Sequence, residues 1–384
     1  MSKISYPKSC NVVRVQIEKL QMKILIYSIL LNIASSIYAV EELTWTPVNI
    51  PELEFSRPWT RDFGVWFYDN FGWLNSGSQI WVTNNAGRSW KPSLERPENR
   101  IFYDSYFINS LEGWAVAGIF PSFLFHTVDG GISWETIEFQ NFDNSSLIRI
   151  YFKDSLNGIA VFAVDKDAIH WDSDVIALTK DGGKHWDVIQ RPRGAFGILT
   201  RAGDSVWIDY ADSEKAFFTP NFGTNVYKLP GYLFYPAFLP SLYGWTLNYT
   251  LFFGGSIQWD VCVTHDGGFT WSPSILSLQG PSSDSHISIC LLAEGEGAIL
   301  WSSKGSTLLF YTNDGGTTWL KYNVPIISGY NLMCNRDRRE LWLITDFTYG
   351  KITTLFYASI PDLTVVHNYR KLLTPWGAIK QEKE

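Results

Sequence analysis

Three groups of residues in this 384-residue chain have the types and spacing to do chemistry. The first is an acidic run, Asp165, Asp167, Asp172 and Asp174, with Lys166 and His170 among them. Four carboxylates within ten residues supply the hard oxygen ligands that calcium takes. No glycine bends the run where a metal loop turns, and Lys166 sits inside it, so a solvated acidic loop is the simpler reading. The second group is Arg61, Arg100 and Arg149, each near the start of a predicted inner strand. Converging guanidiniums can hold the carboxylates of a ligand or partner. The plainer alternative pairs each with a local acid such as Asp62, Asp104 or Asp154. The third group is aromatic: Tyr232-Leu233-Phe234-Tyr235-Pro236 and Leu251-Phe252-Phe253-Gly254-Gly255. Projecting from one rim, these would suit a protein partner or a sugar ring; core packing accounts for part of the first equally well.

The elements that must position these groups announce themselves as repeats. An eight-residue pattern, Thr-x-Asp-x-Gly-x-x-Trp, appears in full as Thr127-Val128-Asp129-Gly130-Gly131-Ile132-Ser133-Trp134 and again at 179–186, 264–271 and 312–319, with the acid at Asp181, Asp266 and Asp314 and the indole at Trp186, Trp271 and Trp319. Weaker copies run over 83–90, with Asn85 and Trp90, and over 219–226, with Asn221 and no Trp. Thr and Asp side chains bond to turn backbone, Gly supplies a positive φ, and the returning Trp offers a large packing surface. These are structural jobs, so the repeat reads as a fold determinant.

A second repeat, Phe-x-Asp-x-x-x-Gly-Trp at its clearest, precedes each copy. It starts at Phe67, Phe107, Phe152 and Phe238, with degenerate versions near Asp204, Leu291 and Cys334. Short alternating or apolar runs between the landmarks read as strands. Seven units of four strands predict an all-β, seven-bladed propeller over residues 40–370, followed by a short tail, 371–384. The seventh unit has no octapeptide. Residues 44–51 resemble the outer strands that follow the other copies, so the N-terminal side of the chain is expected to supply the last blade's outer strand, with 364–369 as the alternative. Both turn types join strands at one end of each blade. The opposite end, with its more variable loops, is the expected place for a site.

Residues 1–39 differ in kind from the rest. Met22-Lys23 precedes the apolar run 24–33 and small residues ending at Ala39, the layout of a cleaved export leader, with Met22 a candidate start. Its removal would take away Lys3, Lys8, Arg14, Lys19, Lys23 and Glu18, leaving 26 basic against 37 acidic residues, a net charge of −11 in place of −7. Such a balance argues against nucleic acid as a partner, and no transmembrane anchor is expected after cleavage. The expected location is periplasmic or extracellular. No pattern demands a cofactor. Cys262, Cys290 and Cys334 show no metal spacing and no disulfide framework, so buried thiols are the default and one bridge an alternative.

On these motifs the chain resembles the Asp-box, or bacterial neuraminidase repeat, propeller superfamily. The combination of Gly113-Trp114-Ala115-Val116 with the octapeptide at 127–134 is similar to photosystem II assembly and stability factors. The likeness implies an exported, non-enzymatic scaffold that binds another exported or membrane protein; it does not imply photosynthesis. That family's arginine-rich patch has no counterpart visible in this sequence. Sialidases share the repeat, and the alternative reading is a secreted sialidase-like glycoside hydrolase acting on carbohydrate. The Arg-Ile-Pro motif of that class is absent, with Asn49-Ile50-Pro51 in the nearest position.

Overall fold

The computed structural model describes residues 43–360 apart from 49, 51–63, 98–99, 119–120, 140–141, 143–144, 166–170, 192–197, 210–215, 232, 253–255, 282–284, 304–305, 325–328 and 349–350. The chain divides into units 1–41 and 42–384, and every described residue belongs to the second. The expected leader, the tail and the alternative strand at 364–369 lie outside the described residues.

Twenty-eight strands form seven four-stranded antiparallel sheets. Blades 1 to 6 cover 64–95, 102–137, 145–190, 198–228, 234–281 and 285–323, each running in chain order from inner to outer strand. The seven sheets are the blades of a seven-bladed propeller, as the repeat count predicts. Blade 7 takes its first three strands from Gly329–Asn335, Glu340–Thr348 and Lys351–Ser359 and its outer strand from Thr46–Val48. That strand pairs Thr46 with Tyr357, Pro47 with Phe356 and Val48 with Leu355. The ring is thus clasped by residues from opposite ends of the described chain, and the clasp is shorter than the sequence pattern suggests.

The octapeptide builds one turn six times. In the copy at 127–134 the Thr127 hydroxyl donates to Asp129 Oδ1 (2.8 Å) and accepts from the Gly131 N–H (3.0 Å), while the Ser133 N–H donates to Asp129 Oδ1 (2.9 Å). Gly130 and Gly131 have φ of 74° and 83°, where an L side chain is strained. The weaker copies place Ala86 and Phe222 in the same left-handed region, at φ of 54° and 53°. Asn85 and Asn221 still accept the same N–H, from Ser89 and Asn225. The amide's oxygen therefore substitutes for the carboxylate, which explains why these copies fold alike.

Each octapeptide turn is pinned to the inner hairpin turn of its own blade. The Gly130 N–H donates to Leu111 O, Gly182 to Leu156 O, Gly267 to Leu242 O and Gly315 to Gly295 O, with Ala86 and Phe222 donating likewise to Asn70 O and Asp204 O. Both turn types consequently share one face, called here the turn face. Blade 7 keeps the bond without the octapeptide, through the Ile360 N–H to Arg339 O (2.9 Å).

Between blades the second repeat does the packing. Trp73, Trp114, Trp207, Trp245 and Trp342 are all fully buried. Trp114 stacks on Phe152 of the next blade with ring centroids 3.9 Å apart, and Trp207 on Phe238 at 3.8 Å. Trp342 reaches Phe67 of blade 1 at 4.8 Å, where a Cβ on Gly87 would fall 2.2 Å from its ring. Octapeptide glycines therefore serve the seam as well as the turn. Cys290 and Cys334 form a disulfide between the inner strands of blades 6 and 7, replacing the default of buried thiols, and Cys262 stays free.

Candidate functional site

Arg61 lies outside the described residues. Arg100 is half-buried, donates weakly to Pro121 O (3.4 Å) and lies over the Phe123 ring. Arg149 is buried, and its guanidinium donates to Ile148 O (2.7 Å) and Tyr103 O (3.4 Å). The acid expected to pair locally, Asp104, is held instead by Arg201 of blade 4 at 2.9 and 3.0 Å, and accepts the Ile150 N–H. Asp154 caps its own turn, accepting from the Leu156 and Asn157 N–H groups. Arg201 was not legible as a site residue because its partner lies 97 positions away.

Around Arg201 the inner strands carry a column of phenols. Tyr68 and Tyr106 share a hydrogen bond (3.2 Å), Tyr106 meets Tyr151 edge to face at 4.8 Å, and Arg201 lies over both of the latter rings. Burial, then the neighbouring phenols, pushes the Tyr106 hydroxyl far above its ordinary pKa. Packing of protonated phenols against a guanidinium paired with Asp104 accounts for these contacts.

The acidic run is split by the ladder. Asp165 ends the strand Gly158–Asp165, Asp172 and Asp174 belong to Trp171–Thr179, and Asp167 and His170 lie outside the described residues. Asp174 sits opposite Ala163 in the register. Among the described residues no group of three or more His, Cys, Asp or Glu is placed to hold a metal ion. The first aromatic cluster packs within blade 5, Phe234 on Tyr249 (5.1 Å) and Trp259 (6.0 Å) and Tyr235 on Trp259, while Phe252 of the second is exposed. Tyr232 and 253–255 lie outside the described residues.

A concave site appears on the turn face. A groove of about 850 Å3 runs between the inner hairpin turns and octapeptides of blades 1 and 2 and reaches Asp337 of blade 7. Its apolar lining comes from Phe71, Val82, Ile108, Leu111 and Ile132, with Leu111 and Ile132 59% and 85% exposed. Val128 and Leu156 extend the exposed aliphatic surface on the same face. Three carboxylates, Asp69, Asp129 and Asp337, face a single ammonium, Lys91. Asp69 has φ of 50°, and its N–H donates to Asp337 Oδ2 (3.1 Å), which brings blade 7 to the groove wall. The Ser133 hydroxyl and N–H hold the Asp129 carboxyl down at about 2, so it is ionised throughout the physiological range. Sequence reasoning missed the groove because its walls come from three blades and its apolar residues occupy the unconstrained positions of both repeats.

The fold has solved counterparts. A structure described as YCF48 bound to D1 peptide aligns with a TM-score of 0.60 and 19% identity over 84% of this chain and 97% of that one. YCF48 from Cyanidioschyzon merolae aligns at 0.54 and 15%, over 82% and 98%. A GH74 enzyme from Niastella koreensis gives only 0.35 and 13%, over 76% of this chain and 53% of that enzyme. At these identities the likeness is one of fold. No family model and no curated protein matches the chain.

Proposed function

We propose that this chain is an exported, non-enzymatic protein-binding scaffold of the Asp-box propeller type, and that it grips an extended peptide segment in the groove between blades 1 and 2. The observation that carries this reading is the groove itself, where exposed Leu111 and Ile132 stand beside three carboxylates and one lysine. An exposed apolar patch rimmed by polar groups is what protein partners use. The excess of negative charge selects a segment that combines an aliphatic anchor with Lys or Arg. A propeller of similar fold was solved with a peptide bound, which supports the class of ligand. Octapeptide and groove share a face because the repeat fixes the turn backbone and leaves its outward positions, Val128 and Ile132, open to variation.

Fluorescence anisotropy against a peptide array tests the reading. Peptides with a Leu or Ile flanked by Lys or Arg should bind, and acidic peptides of the same length should not. Ile132→Asp with Leu111→Asp, at exposed positions, should weaken binding at least tenfold without altering the fold. Salt should weaken it too, since the charges are solvent-accessible. Turnover of a fluorogenic glycoside, abolished by changing a groove carboxylate, would replace this reading with the hydrolase.

A further inference from the structure

Blade 5 outgrows blade 4. The strands of blade 4 have two to five residues, whereas three of the four in blade 5, Gly244–Phe252, Ser256–Thr264 and Ser272–Pro281, have nine or ten. One face of the taller sheet is spent on the fold: Leu247, Trp259 and Leu278 pack with Ile287 and Ile299 of blade 6. Side chains alternate along a strand, so the residues between these take the other face, which looks toward blade 4. At the end away from the octapeptide that face is open. Asn248, Thr250, Ser277 and Gln279 are exposed there, and so is Phe252 at the hairpin end.

The register sets these residues in rows. Asn248 lies opposite Asp260 and Asp260 opposite Ser277, while Thr250 lies opposite Gln258 and Gln258 opposite Gln279. Phe252, two residues beyond Thr250, closes the array on the same face. Hydrogen bonds already tie the rows together, since Asp260 Oδ1 accepts from Gln258 Nε2 (2.9 Å) and from the Ser277 hydroxyl. Among the described residues both bonds fall on Oδ1, which leaves Oδ2 to a ligand. The array extends about 14 Å along the strands and about 10 Å across three of them.

The chemistry of the face selects its ligand. Three amides present donors and acceptors side by side, two hydroxyls supply both, and one carboxylate accepts. The hydroxyls of a sugar, each a donor and an acceptor, match such a surface, and an exposed phenyl ring suits the C–H face of a pyranose. A protein partner matches it poorly, because protein interfaces keep apolar groups at the centre and polar groups at the rim, the reverse of this array. An acidic glycan or a phosphate meets Asp260 with no Lys or Arg in the array to offset it. We infer that this face of blade 5 binds a neutral oligosaccharide, with Asn248, Gln258, Asp260 and Gln279 bonding to its hydroxyls and Phe252 stacking on one ring. A single carboxylate equips it to bind rather than to cleave, since glycoside hydrolysis takes a pair. The face is separate from the groove of blades 1 and 2 and stands or falls independently of the peptide-binding reading.

Affinity electrophoresis of the full chain tests the inference, in gels holding mixed-linkage β-glucan, galactomannan, soluble starch or the acidic polymer polygalacturonate. The wild type should be retarded by at least one of the three neutral polymers and should run freely through polygalacturonate. Gln258→Ala with Gln279→Ala should cut the affinity about tenfold, the size expected for the bonds removed, with an unchanged circular dichroism spectrum. Single changes at exposed positions cover failure of that pair to fold: Gln279→Ala and Phe252→Ala should each weaken retention about fivefold. Gln190→Ala, exposed on the outer strand of blade 3, should migrate like the wild type. Free migration of the wild type in all three neutral gels, retention unchanged in both Gln279→Ala and Phe252→Ala, or stronger retention by polygalacturonate would overturn it.

Discussion

The seam between blades 2 and 3 and the seam between blades 7 and 1 solve one packing problem by different means. Blades 2 and 3 meet through the Trp114–Phe152 stack, with Gly183 so close to Leu124 that a Cβ would fall 2.6 Å from it. Asp104 and Ser122 of blade 2 also accept the Ile150 and Leu147 N–H groups of blade 3, while the ring-closing seam has its own indole, Trp342 against Phe67, and adds an ion pair. Arg88 pairs with buried Glu340 at 2.7 Å and lies over Tyr357 at 4.0 Å, Arg338 donates to Asn70, and the Asp69 N–H donates to Asp337. Blade 7 is also tied to blade 6 by the disulfide and by Arg339, which holds Glu296 at 2.5 and 3.0 Å. The difference follows from chain separation. Blades 2 and 3 are consecutive, whereas the partners that close the ring stand some 250 to 270 positions apart, and loop-closure entropy opposes such contacts. An ion pair at the closing seam supplements the ring packing and side-chain hydrogen bonds that both seams use.

Substitutions rank the two seams. Trp342→Ala should be the most damaging, costing about 3–5 kcal/mol in denaturant unfolding because it empties the closing seam of its largest buried ring. Trp114→Ala should cost less than Trp342→Ala, since adjacent blades stay tethered by a short chain; an equal loss would erase the distinction. Replacing Cys290 and Cys334 by Ser removes a cross-link spanning 44 residues and should cost about 2–4 kcal/mol. The same measurement under reducing conditions should give the same loss in the wild type and none in the double variant. Thr127→Ala leaves the Gly131 N–H without its acceptor and should cost about 1–2 kcal/mol, confined to one blade.

Acid should loosen the octapeptide turns only at low pH. Hydrogen bonds from Ser133 lower Asp129 to about 2. Burial raises Asp181 and Asp266, but bonds from His185 and Thr270 outweigh it and leave both at about 2. A carboxylate depressed in the folded state adds stability that is complete above its unfolded value near 3.8 and is lost as pH falls through the folded value. Thermal unfolding midpoints should therefore fall between about pH 4 and 2. Asp129→Asn should flatten that slope slightly, since Asn85 and Asn221 show that an amide serves the same turn.

Much of this architecture was legible because turn chemistry is local. Thr127, Asp129 and Gly131 form their turn within eight residues, so spacing alone announced blade count and shared face. The clasp was legible too, since Thr46–Val48 looks like the outer strands it imitates. What escaped was everything built from distant positions: the Arg201–Asp104 pair, the choice of Cys290 and Cys334 among three thiols, and the groove that joins Asp69, Leu111 and Ile132 with Asp337. The variable loops of the opposite face drew attention as the place for a site, yet the outward positions of the repeats vary as freely while their backbone is held. Rigid turns with unconstrained side chains are good ground for a binding surface.

Hydrogen exchange with a bound Lys- and Leu-containing peptide tests that claim most directly. Protection should appear at 68–71, 108–111 and 129–132, on the turn face between blades 1 and 2. Protection confined to the opposite-face loops, with those three segments unchanged, would contradict it.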